Sequence, residues 1–235
     1  MDTQTRHALK KDKFAEATAT SVNWLSGHRA GVVRWAVSIA VVVVVGVSVL
    51  IFWNVRSSSA DAALGAALDV YTAPLAEPGA PAMDGVYATS QDRAKAANQK
   101  FLAVADQYGS MPQSSKAHYF AGVTYEELGQ NGPAETELKT AADSWNHDLA
   151  NLAKLALAGL YQQTGRSAQA VDLYNAIVAK PSKTVTASVA QLDLADLYAA
   201  TGKPDQARAL WAKVKDADKQ GAAGAIAAQK LGTGQ

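Results

Sequence analysis

The sequence has no cysteine, so disulfides, thiolate nucleophiles and cysteine-ligated zinc or iron–sulfur sites are excluded. Histidine is scarce, with four in 235 residues, and His7, His28, His118 and His147 are scattered. None has a second histidine or carboxylate at a metal-ligand spacing. No glycine-rich phosphate loop or nucleophile elbow occurs. Glu126 and Glu127 are sequence neighbours, which a helix points in different directions, so they form no acid–base pair. Charge of one sign is missing too. Lys plus Arg is 22 and Asp plus Glu is 21, a net of +1, against the concentrated basic face that phosphate neutralisation needs. These absences predict a protein that is not an enzyme, with no cofactor, metal, small-molecule substrate or nucleic-acid partner.

One long apolar run is present. From Trp35 to Val55 there are 21 residues without a charge, centred on the valines 41–45. As a helix this run is about 31 Å long, the thickness of a bilayer's hydrocarbon. Valine is a mediocre helix former in water, but in lipid an unpaired backbone has no other partner, so helix follows. Trp35 and Trp53 stand near the two ends, where amphipathic rings anchor at headgroups, and Arg34 and Arg56 flank the run. A signal peptide's apolar core is shorter, about 7–15 residues, and sits nearer the N-terminus, so an uncleaved anchor is expected. The preceding segment holds Arg6, Lys10, Lys11, Lys13, Arg29 and Arg34, whereas beyond the run Arg56 is alone until Arg93. The positive-inside rule therefore predicts a cytoplasmic N-terminus and an exported remainder. Residues 57–235 carry 15 basic and 18 acidic groups, as a soluble exported domain tolerates. Phe14, Ala17, Val22 and Leu25 recur near helical spacing, which leaves Thr5–Ser26 readable as an amphipathic helix or as a plain basic tail.

The remainder repeats itself. AHYFAGVTYEELG (117–129), AKLALAGLYQQTG (153–165) and AQLDLADLYAATG (190–202) align, with Tyr125, Tyr161 and Tyr198 spaced by 36 and 37 residues. Each tyrosine follows a small residue three positions earlier: Gly122, Ala158 and Ala195. Each is followed by a glycine (Gly129, Gly165, Gly202), then an alanine (Ala134, Ala170, Ala207), then a large apolar residue (Leu138, Tyr174, Trp211). Ala97 and Phe101 continue the register upstream. The small residue allows close approach of a second helix, the glycine ends the first helix in a tight turn, and Pro133 and Pro204 fall in the second helix's opening turn. One such hairpin cannot bury its apolar face alone, so the units must stack into a solenoid. Ser57–Thr72 reads as a helix that serves the incomplete upstream repeat. Pro74, Pro78, Gly79, Pro81 and Gly85 make 74–89 a loop, and Ala222–Leu231 reads as a capping helix ending at Gly232.

The expected fold is thus all-α, one transmembrane helix followed by an α-solenoid. Its divisions are 1–34 (basic tail), 35–55 (span), 56–89 (juxtamembrane helix and loop) and 90–235 (repeats and cap). The recurring pattern resembles the tetratricopeptide repeat over about residues 90–215. It departs in a period two or three residues over the usual 34, and in His118, Lys154 and Gln191 at the leading large position. The resemblance implies that the first helix of each pair lines a concave face. That would place Tyr119, Val123 and Glu126, then Leu152, Leu155 and Gln162, then Val189, Leu192 and Asp196 along a groove. Such a set is apolar with an acidic or amide edge, suited to an apolar or amphipathic segment, unless the same residues pack on neighbouring helices.

The whole plan of basic tail, single span, juxtamembrane helix and short repeat array resembles the bacterial YfgM-like family, ancillary subunits of the Sec translocon that work with periplasmic chaperones. The resemblance implies a scaffold in the bacterial inner membrane, its repeats periplasmic, with partners among envelope proteins. Two alternatives stay open: a scaffold of another envelope machine, for division or cell-wall synthesis, and a holdase that binds unfolded chains directly.

Overall fold

A computed structural model describes residues 29–77 and 85–232. The expected amphipathic segment Thr5–Ser26 and the loop residues Pro78, Gly79 and Pro81 lie outside the described residues. The helices are α1 (Arg29–Tyr71), α2 (Ser90–Gln107), α3 (Pro112–Glu127), α4 (Asn131–Ala142), α5 (His147–Gln163), α6 (Ser167–Ala179), α7 (Ala187–Ala200), α8 (Pro204–Ala217) and α9 (Ala222–Gly232). The described residues hold no strand, only an isolated bridge between Leu75 and Tyr87. The chain divides into two units after Arg56.

In the first unit, α1 carries the apolar run. Its large apolar side chains from Val33 to Val55 are 47–73 % exposed. Ser48 Oγ donates to the Val44 carbonyl at 2.8 Å, so this hydroxyl satisfies itself one turn back without a partner helix. The helix is long and apolar enough to span a membrane.

In the second unit the same helix changes character. From Ser57, apolar residues recur at helical spacing and only one face is buried: Ala60, Leu64 and Ala67 join Ala97, Phe101 and Val104 of α2 and Ala117 and Ala121 of α3. The upstream half-repeat is thereby completed. The other pairs are α3 with α4, α5 with α6, and α7 with α8, each packing also on the next. The alanines at the shared register, Ala97, Ala134, Ala170 and Ala207, are all fully buried, as is Phe101 with Leu138, and Tyr174 and Trp211 nearly so. Burying a side chain of that size contributes about 1.5–3 kcal/mol, and these positions recur once per pair, so stability is spread along the array.

The turn glycines behave as their spacing implies. Gly129, Gly165 and Gly202 have φ of +70°, +74° and +75°, a region a side chain strains to enter. At each, the next residue's N–H reaches back to the carbonyl of the repeat tyrosine: Gln130 to Tyr125 (2.9 Å), Arg166 to Tyr161 (2.7 Å) and Lys203 to Tyr198 (2.8 Å). This pattern satisfies the helix's last carbonyls and reverses the chain. Asn146 and Thr186 cap the starts of α5 and α7 by accepting from the Leu149 and Val189 N–H groups. Finally α9 closes the array, with Ala223 and Ala227 packed on Trp211, Val214 and Leu192.

Candidate partner-binding groove

The first helices of the pairs run side by side in one direction. At the start of α3 the Gln113 amide donates to Asp61 Oδ1 (2.8 Å) and Ser57 Oγ (3.3 Å) of α1. At their C-terminal ends Tyr71 Oη donates to Glu127 Oε1 (2.7 Å), and Gln163 Nε2 of α5 donates to Glu126 Oε1 of α3 (2.8 Å). Polar side chains therefore lace together the C-terminal ends of α1, α3 and α5.

On α3, Tyr119, Val123 and Glu126 are half-buried. The Tyr119 ring stands edge-on to Phe120 (centroids 5.2 Å apart) and borders the core around Leu138 and Leu157. Burial, then the Glu126 charge, pushes its hydroxyl pKa up. On α5, Leu152 and Leu155 are half-buried and pack on Ile177, Val185 and Ala190, while Gln162 accepts from Tyr174 Oη at 3.4 Å. On α7, Val189 joins that same small core. Leu192 is covered, packed in the core that α8 and α9 build around Trp211. Asp196 accepts from Trp211 Nε1 (3.0 Å) and from Lys230 Nζ of α9 (3.1 Å). Thus α9 occupies the place a further first helix would take and ties up the α7 end of the expected set.

The carboxylates differ in setting. Asp193 lies beside Asp196, and burial first, then that like charge, pushes its carboxyl up to about 6. Tyr174, near both aspartates, is raised to about 12, again chiefly by burial. Glu135 on α4 is the opposite case. Lys139 Nζ (2.7 Å) and Arg166 Nη1 (2.5 Å) hold its two oxygens, Tyr161 Oη adds a third bond at 3.0 Å, and its pKa falls to about 2. The Arg166 guanidinium also lies 4.3 Å from the Tyr161 ring centre, and Lys203 stands over Tyr198 in the next repeat at 5.4 Å. This cation on the repeat tyrosine went unread in the sequence. Its signal was available, since Arg166 and Lys203 each directly follow the turn glycine. Among the described residues, no group of three or more histidine, aspartate and glutamate side chains converges where a metal could sit.

A solenoid of paired helices offers surfaces for protein partners. The match to solved structures agrees in fold. The nearly identical repeats of a Podosopora anserina putative kinesin light chain superpose with a TM-score of 0.51 at 19% identity, over 61% of this chain and 78% of that one. A single-substitution variant of those repeats gives 0.51 at 18% identity, over 61% and 77%. No curated protein matches the chain significantly. The family model for the tetratricopeptide repeat-like domain matches residues 33–233, from the apolar helix through the last capping helix, and the chain belongs to that family.

Proposed function

We propose that this chain is a scaffold of the bacterial inner membrane, anchored by Trp35–Val55, with its repeats in the periplasm holding a partner protein near the Sec translocon. The observation that carries the reading is the coupling, in one chain, of an apolar helix with every described large side chain outward to a tetratricopeptide repeat-like array. Tetratricopeptide repeats bind partner proteins, and tethering confines binding to the bilayer surface, where effective concentration is high. The excess of basic residues before the span supports the cytoplasmic N-terminus. The partner's segment is apolar or amphipathic and lies along Tyr119, Val123, Leu152 and Leu155, bounded by Glu126 and Gln162. Of the α7 residues, Val189 lies beside Leu152 and Leu155, while Leu192 and Asp196 shape the end of the groove against α9.

Crosslinking in intact membranes, followed by affinity purification and mass spectrometry, tests this. Recovery of translocon subunits with a membrane-anchored periplasmic chaperone is the expected result. Recovery of division or cell-wall proteins instead overturns the Sec assignment, and capture of many unrelated unfolded chains replaces the scaffold with a holdase. Val123→Glu is expected to lose the partner while the far-UV helical signal is kept. Leu192 is unsuitable for that purpose, because a charge there would report unfolding of the Trp211 core.

A further inference from the structure

Trp145 is the most exposed large apolar residue among the described residues of the repeat unit, at 79 %, against 44 % for Leu75 and 43 % for Ile226. It lies in the connection between α4 and α5, two residues before α5 begins at His147. Nothing in the repeat pattern calls for it, since the corresponding connections carry Gly109–Ser110 and Pro181–Ser182.

Its position in the array is defined by hydrogen bonds. The α3 start is bonded to Ser57 through Gln113, and α3 and α5 end together at Glu126 and Gln163, so Ser57, Gln113 and His147 mark one edge. The α6–α7 connection belongs to that edge too. The His147 imidazole lies 3.1 Å from the Lys180 carbonyl, Asn151 donates to the same oxygen at 2.9 Å, and the Thr184 N–H donates to Asp148 Oδ1 at 3.2 Å. Ser57 is covalently joined to Arg56, where the apolar run ends. The indole is therefore displayed on the edge at which the chain leaves the apolar run.

We propose that this edge rests on the phospholipid surface, with the Trp145 indole seated among the headgroups; the inference rests on the reading of Trp35–Val55 as a membrane span. An indole combines an apolar body with one N–H donor and is favoured at the boundary between hydrocarbon and water. A free domain would need more than one ring to bind lipid, but a tethered one pays no separate association cost, so a single anchor suffices. The charges nearby balance: Lys180 and Lys183 are matched by Asp143 and Asp148. The contact is accordingly interfacial rather than electrostatic, and it survives high salt.

The absence of cysteine makes the test direct. Trp145→Cys, Asn175→Cys on the exposed surface of α6, and Val44→Cys in the span are each labelled with an environment-sensitive fluorophore. The full-length chains are then reconstituted in vesicles of phosphatidylethanolamine and phosphatidylglycerol. Lipids carrying nitroxides at headgroup or mid-chain depth read the position. The expected result is quenching of the 145 label by the headgroup nitroxide, at low and high salt alike, with the 175 label unaffected and the 44 label quenched from mid-chain. A 145 label no more quenched than 175, with 44 still quenched, overturns the lipid contact and leaves the span standing. A 44 label that escapes quenching overturns both. If position 145 is shielded in native membranes but not in the pure lipid vesicles, the ring belongs to a protein partner and the lipid assignment is wrong.

Discussion

Val43 and Leu138 are both apolar side chains on helices, yet Val43 is 56 % exposed and Leu138 is fully buried. Around Val43 the helix is apolar on every side, so no rotation about its axis hides the run from water, and the helix is long and apolar enough to span a membrane. Around Leu138 apolar and polar residues alternate at helical spacing, and a neighbouring helix removes the apolar face from water. The same transfer free energy thus suits one segment to a bilayer and organises the other into a stack. What separates them is how many side chains are apolar and how these are distributed around the helix axis.

The largest effect that would break this contrast is expected from Trp211→Ala. It should lower the repeat unit's stability by about 3–5 kcal/mol, since the side chain is almost wholly buried where α7, α8 and α9 meet. Val43→Ala removes apolar surface as well but should leave the urea midpoint, followed by circular dichroism in detergent, unchanged. Equal losses would mean that the apolar run packs on the repeats rather than standing in lipid.

Two glycines on first helices of neighbouring pairs sharpen the contrast within the array. A methyl group at Gly122 would stand 2.6 Å from Leu138 Cγ, whereas one at Gly159 meets nothing within 4 Å. Gly122→Ala is therefore expected to cost about 1–3 kcal/mol through overpacking, while Gly159→Ala should stabilise by up to about 1 kcal/mol through helix propensity. Thermal melts of the two variants decide it, and a stabilised Gly122→Ala would show that α3 and α4 are not closely packed.

The smallest effects come from two carboxylates with opposite shifts. The Glu135 pKa is lowered to about 2, so its contribution is present above its ordinary value of 4.5 and is lost as pH falls through 2. Glu135→Gln should cost about 1 kcal/mol at pH 7, discounted for solvent screening, with the difference from the parent shrinking below pH 4.5. Asp193 is raised to about 6 against an ordinary 3.8, so the fold binds its proton more tightly and stability falls as pH rises from 3.8 to 6. Asp193→Asn should then stabilise by up to about 1 kcal/mol at pH 7 and make no difference below pH 3.8. Denaturant titrations across this range measure both, and matching pH trends for the two variants would refute the assigned settings.

Much of the fold was legible from residues alone because its rules are local. The turn glycines, the proline in the opening turn of α8 and the small residue three positions before each repeat tyrosine each reflect one or two turns of helix. The groove was less legible. Leu192 and Asp196 have the register of groove residues, but whether that register stays open depends on the segment after the last repeat, and α9 covers it. The bond from Gln163 to Glu126 and the clamp of Arg166 on Glu135 join residues more than thirty positions apart, and a local pattern cannot specify a pairing between helices.

By itself the sequence determined the all-helical class, the glycine turns between paired helices, the repeat length and the presence of one apolar helix long enough for a bilayer. These depend on side-chain periodicity, backbone freedom and length, which act over a few residues. Tertiary structure decided that Leu138 fills the space Gly122 leaves, that α9 closes the array over Leu192, that Arg166 reaches Glu135 from the turn before α6, and that Trp145 stands uncovered. Each of these depends on distances between helices, within a pair or from one pair to the next, which only the packed array sets.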